Sequence, residues 1–263
     1  MTLALGLIAA PFERPTTKDF VWDCWRSVKI GPIDFCFNFI TLLLVLASVG
    51  MIVLFFFAFR RPRIVPGKFQ LVMESAVEFV RGQIVMQMIG PEGMPFLPFL
   101  ATLFFFILLG NILEVTPGIS FPLNSRIAFP MVMALISWIV YNTVGIRRHG
   151  LFGYLKLVMF PPGAPAFMYV LLAPIEFISV ILVRPLTLSV RLFANMVAGH
   201  FLLAVFFLGS LALFAGFPYV FGAVSFAMGV ALVGFEIFVA GLQAFIFAVL
   251  TASYIAGAMA EEH

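Results

Sequence analysis

Pro185-Leu186-Thr187-Leu188-Ser189-Val190-Arg191-Leu192-Phe193-Ala194-Asn195-Met196 is the stretch whose reading decides the fold. It is apolar sequence holding one arginine, with no acidic residue close to it in the chain. A guanidinium in hydrocarbon costs about 2.5–3.5 kcal/mol on insertion scales. Arginine cannot shed its proton to escape that cost. A chain that keeps Arg191 there uses a fixed positive charge inside a membrane.

Outward from this stretch the apolar character continues. Residues 166–208 contain scarcely a loop signal, and 219–260 form a second long apolar segment. Between them, Gly209 to Pro218 holds two glycines, a proline and no charge. As one helix, the first segment would be roughly 65 Å long, against a hydrocarbon core of about 30 Å. Each segment is therefore either steeply tilted or broken in two. Pro174 and Pro185 are the places where the first would break. The absence of a polar connector favours tilt. Residues 166–260 then form a tilted antiparallel hairpin with its turn outside.

Composition sets the class. The chain has 263 residues, 63% hydrophobic and 10% charged, with a mean hydropathy of +1.15. Soluble domains carry about 25% charged residues. The chain reads as an all-α integral membrane protein. Its apolar runs lack the alternation of a membrane β-barrel. A net charge of +3 gives no basis for nucleic-acid binding. Cys24 and Cys36, the two cysteines, form no metal-ligand pattern and read as small apolar fillers. No metal or cofactor is expected.

Upstream, residues 1–34 mix both charge signs with aromatics and prolines, as an external arm. Residues 35–59 read as a spanning helix, stopped by Arg60-Arg61-Pro62-Arg63. Basic clusters stay in the cytoplasm, which puts the amino terminus outside. Within 66–90, Met73, Val77, Val80 and Ile84 recur at helical spacing among Gln70, Glu74, Glu78 and Arg81. That pattern predicts an amphipathic helix on the cytoplasmic surface. Residues 96–114 and 127–146 are two further spans, the second ending at Arg147-Arg148-His149.

The hairpin carries the chemistry. Its first arm holds Glu176, Arg184, Arg191, Asn195 and His200, and its second Glu236 and Gln243. Arg184, Arg191 and Asn195 are spaced by seven and four and share a face. In an antiparallel hairpin one register brings Arg191 level with Gln243 and His200 level with Glu236. A His–Glu pair near a water-accessible end is a candidate proton relay. Gln243 and Asn195 also fit interhelical hydrogen bonding. Glu176 and Arg184 lie nearer the cytoplasmic end, where snorkelling to the interface is the plainer account. Asn111 and Glu114 flank the external end of a span, where polar residues are ordinary.

Residues Arg184 to His200, and Gly241-Leu242-Gln243-Ala244-Phe245-Ile246-Phe247-Ala248-Val249-Leu250-Thr251, closely resemble the two signatures of subunit a of F-type ATP synthase. The tail Ala260-Glu261-Glu262-His263 is similar too. The resemblance implies six helices, the last two long, tilted and wrapped against a rotating ring of c subunits. It implies that Arg191 is the stator arginine facing the ring carboxylate, with Gln243 and Asn195 beside it. His200 and Glu236 match the polar pair of the external half-channel, in the order of mitochondrial and alphaproteobacterial members. Asn111 and Glu114 match residues lining the same path, and Glu176 and Arg184 are further half-channel candidates. Implied partners are the c-ring, the peripheral-stalk b subunits and the bilayer, with protons as the transported ion. The implied setting is a bacterial inner membrane, or alternatively a mitochondrial one, with the carboxyl terminus cytoplasmic. No catalytic site is expected, since no phosphate-binding glycine loop is present. A proton-coupled secondary transporter using His200 and Glu236 is the alternative, although no internal repeat supports it. A membrane-embedded enzyme is disfavoured by the absence of a motif such as HExxH.

Overall fold

The computed structural model describes residues 26–30, 33–61, 65–116, 127–160, 168–215 and 219–260. Most of the amino-terminal arm expected over 1–34, the 117–126 loop, the 161–167 turn, the hairpin turn expected at 216–218 and the tail from Glu261 lie outside the described residues.

Two five-residue strands, β1 (Arg26–Ile30) and β2 (Ile33–Phe37), pair antiparallel with Arg26 opposite Phe37. Every other element among the described residues is helical. Helix α1 covers Phe39–Phe59. It starts later than the apolar run beginning at Phe35, because β2 takes up Ile33–Phe37 and Asn38 then caps the helix. The Asn38 Oδ1 accepts the Thr41 amide and hydroxyl, each at 3.1 Å, which satisfies a donor that the first turn leaves open.

Helix α2 (Lys68–Val80) runs into a π-helical segment at Arg81–Met86. It buries Gln70, Met73, Val80, Ile84 and Val85. Phe69 and Val72 are exposed. A 3₁₀ segment, Pro91–Phe96, leads into α3 (Leu97–Val115). Helix α4 (Ala128–Met159) continues past the expected end at Ile146, since arginine does not stop a helix. It breaks at Gly150, where φ is 72° and ψ 167°. Beyond the break Tyr154 packs its ring onto Gly145, where a side chain would collide with it, and donates its hydroxyl to Asn142 Oδ1 at 3.0 Å. The Gly150 conformation is essentially open to glycine alone, so Gly150→Ala is expected to destabilise the fold by about 1–3 kcal/mol. A lowered thermal midpoint in detergent would register that loss.

Helix α5 (Tyr169–Ile178), a second π-helical segment (Ser179–Val183) and α6 (Arg184–Ala215) follow one another without interruption. Neither Pro174 nor Pro185 breaks them. The π turn lies just before Pro185, where the ring would otherwise crowd the carbonyl four residues back. Helix α7 spans Tyr219–Met259. Among the described residues five helices are long and apolar enough to cross a membrane, and the run Tyr169–Phe214 counts as one of them.

The chain divides into two compact units. The first comprises Met1–Val49, Leu109–Ser125 and Ala194–Gly241. Its apolar cluster centres on Leu43 and Ala47, with Leu109 and Leu113 against them. The second comprises Gly50–Leu108, Arg126–Phe193 and Leu242–His263. Its core gathers Ile84, Leu100, Ile107, Tyr141, Leu188, Leu192, Phe247 and Ile255, among others. Many large apolar side chains of the long helices stay exposed, including Leu186, Val190, Leu202 and Phe238. Such a surface suits lipid and partner helices rather than water.

Candidate functional site

In the second unit, α6 turns Leu188, Ser189 and Leu192 inward and leaves Thr187, Val190 and Arg191 exposed. Leu188 and Leu192, four apart, form one face, and Arg191 stands at its margin. Among the described residues, the Arg191 guanidinium has neither an ion pair nor a hydrogen bond. Gln243, on α7, is 7% exposed. On the same helix Ala244, Phe247 and Ala248 belong to the buried core, and no hydrogen bond joins Gln243 to Arg191 among the described residues.

Arg184, seven residues before Arg191 on the same helix, turns its side chain to an aromatic ring. Its guanidinium lies 4.9 Å from the centre of the Tyr254 ring, a cation–π contact that shelters the charge. Glu176, on α5, is half-buried.

In the first unit, Asn195 is exposed and His200 half-buried. Glu236, on α7, rests its carboxylate on Gly199 of α6, the neighbour of His200. A Cβ at Gly199 would collide with Glu236 Oε1 and come within 2.6 Å of Cδ. Only a glycine lets the carboxylate approach the backbone so closely. The two arms keep an antiparallel register along their length here. The Ser225 hydroxyl donates to the Phe206 carbonyl at 2.9 Å, and Gly222 lies against Phe214. Asn111, on α3, is 5% exposed and donates its amide to the Ala240 carbonyl at 3.3 Å. That carbonyl is one helical turn from Glu236, so Asn111, Gly199, His200 and Glu236 gather at one level of this unit. The Glu114 side chain lies outside the described residues.

Sequence reasoning named the carboxylate and the histidine but not Gly199 between them. The signal was a glycine directly preceding the only histidine of the apolar hairpin. It also missed the aromatic residues Trp138, Tyr141 and Tyr254, which look like packing residues in a chain with 34 phenylalanines.

These placements describe a multi-pass helical membrane protein with ionisable and amide side chains set into its longest helices. The chain belongs to the ATP synthase A chain family, whose model matches residues 39–256. That match begins at the first residue of α1 and ends within α7. Among its relatives, the ATP synthase subunit a of Parafrankia sp. (strain EAN1pec) is 46% identical over 249 residues, covering 94% of this chain and 84% of the relative. The subunit a of Rhodococcus erythropolis is 41% identical, covering 100% and 96%. That of Rhodospirillum rubrum is 39% identical, covering 94% and 96%.

Proposed function

We propose that this chain is the proton-conducting stator subunit of an F-type ATP synthase, with a ring of c subunits as its moving partner. Arg191 carries the reading. It is a permanent cation, exposed beside buried leucines, and among the described residues it has no counter-charge. An acidic side chain on a passing partner supplies what it lacks.

Protons enter from outside by the polar level of Asn111, His200 and Glu236, with Glu114 toward the mouth. From there a proton neutralises a ring carboxylate, which can then face lipid without the penalty of a buried charge. After nearly a full turn the site comes to a second water path, on the cytoplasmic side, near Glu176 and Arg184. The field of Arg191 favours the ionised carboxylate, so the site releases its proton on approach. The same charge repels protons attempting the direct route. Asn195 on α6 and Gln243 on α7 are the amides assigned to hydrogen bonding with the carboxylate as it passes. The potential supplies about 2.3 kcal/mol per charge per 100 mV.

The last two helices are longer than a bilayer is thick, so they lie tilted in it. The amino terminus is outside and the carboxyl terminus cytoplasmic, in a bacterial inner membrane. The chain itself forms no phosphate bond, and peripheral-stalk b subunits hold it still. Nothing favours a secondary transporter over this family role.

Mild-detergent purification of the tagged chain should bring down an oligomeric ring of small helical hairpins. In vesicles, the complex should acidify the lumen on adding ATP. Recovery of the chain alone, with substrate uptake and no ATP-dependent acidification, would refute the reading.

A further inference from the structure

We propose that Trp138 and Tyr141 are positioning residues for Arg191, acting through a single backbone carbonyl, that of Val180. The inference rests on the stator reading for what Arg191 does, and on local geometry for how Arg191 is aimed.

At Ser179–Val183 the helix carrying Arg191 takes one π turn. The Arg184 amide bonds to the Ser179 carbonyl, five residues back, instead of to Val180. In the π register the next donor in line for Val180 would be residue 185, and Pro185 has no N–H. The Val180 carbonyl is thus deprived of the helix donor of either register. Val180 is 3% exposed, so water does not replace the missing donor.

Helix α4 supplies two. Trp138 Nε1 and the Tyr141 hydroxyl each donate to the Val180 carbonyl at 3.0 Å. They are three residues apart, on one face of α4, and a carbonyl oxygen has two lone pairs to receive them. Tyr141 is 1% exposed. Its ring lies 5.5 Å from that of Tyr254, the ring on which Arg184 stacks. One network therefore holds both residues that frame the π turn.

The turn matters because it adds a residue. Everything beyond it is rotated about the helix axis by roughly 100°, the angle of one α-helical residue. If the turn relaxed to α, Arg184 would bond Val180 and each later residue would move to the azimuth of its successor. Arg191 would then point where Leu192 does now, into the core at 1% exposure. The two side-chain donors remove the incentive for that relaxation.

The test uses the assembled complex in vesicles. Trp138→Phe with Tyr141→Phe keeps the aromatic bulk and deletes both donors. The ring is expected to co-purify, and coupled ATP synthesis to fall by roughly tenfold or more. An electron cryo-microscopy map of this variant should show an α turn at 179–183 and Arg191 rotated. Trp138→His with Tyr141→Phe keeps one ring N–H and should retain the π turn and most of the rate. A double-Phe complex with an unchanged turn and rate overturns the proposal. If the double-Phe variant fails to assemble, the His–Phe variant decides. Its assembly with the π turn intact supports the donor role, and its failure shows that ring packing alone matters. Arg191→Ala, prepared alongside, separates the two levels. If it leaves coupled synthesis intact, the stator reading itself fails; if it abolishes synthesis while double-Phe is silent, only the positioning role falls.

Discussion

Replacing Arg191 with alanine is expected to abolish ATP synthesis driven by a proton gradient while leaving the complex assembled. The side chain is exposed and has no partner within the described part of its own chain, so truncating it strands no buried group. Surface truncations of this kind usually change stability by no more than about 0.5 kcal/mol. The effect on coupling should be far larger. Without the fixed charge, the ring carboxylate has no reason to ionise at the right place, and protons are not repelled from the short route. Synthesis should fall by roughly a thousandfold or to background, as for loss of a preorganised charge in a low-dielectric site. Passive proton conductance of stripped vesicles should rise or persist. Arg191→Lys keeps a charge but not the planar fork, and should recover little synthesis. The decisive measurement is ATP synthesis and dye-monitored proton flux in the same vesicles. Normal synthesis by the alanine variant would end the account.

Gly199→Ala should be the most damaging change that removes no polar group. The added methyl would meet Glu236 Oε1, with Cδ at 2.6 Å and Oε2 at 2.8 Å. What has to move is the end of a flexible side chain, not backbone. The helices should therefore still pack, and alanine is in any case the better helix former by about 1 kcal/mol. The carboxylate, however, must leave its seat on Gly199, the neighbour of His200. Proton pumping and synthesis should drop together by roughly tenfold or more, a size typical of a displaced proton-transfer group. Thermal stability should stay unchanged or rise. Gly199→Ser, with a small polar side chain, should be impaired as well. An alanine variant that pumps at the normal rate would show that the close approach has no role in the proton path.

Both residues were within reach of the sequence to different degrees. Arg191 declares itself, because a charge in an apolar run violates the pattern around it. The membrane class and the two long arms follow from uninterrupted apolar length in the same way. The level shared by His200 and Glu236 follows from antiparallel counting, and the seating of Glu236 on Gly199 gives that level a physical contact. Other features depend on pairings that no local pattern encodes. The start of α1 was misplaced because Phe35 to Phe37 suit a strand as well as a helix, and strand pairing decided. Helix α4 runs on beyond Ile146 because Arg147 and Arg148 mark a membrane boundary, and a helix can run past one. The fate of Pro185 was open because a proline in a helix either breaks it or is accommodated. Which happens depends on donors at Trp138 and Tyr141, some forty residues earlier. The spacing puts Arg184 on the face of Arg191, but its stacking on Tyr254 involves a residue seventy positions away that no local pattern encodes.

The bend at Gly150 has a practical corollary. Beyond it, Tyr154 returns to Gly145 and Asn142, while Arg148 pairs with Glu92 at 2.7 Å. The ion pair is partly exposed, with Glu92 at 65%, and brine weakens such pairs readily. The ring-on-glycine contact is dry and indifferent to ionic strength. This corner of the protein is accordingly fastened by shape rather than charge, and concentrated electrolyte used to strip peripheral proteins from membranes should leave it closed.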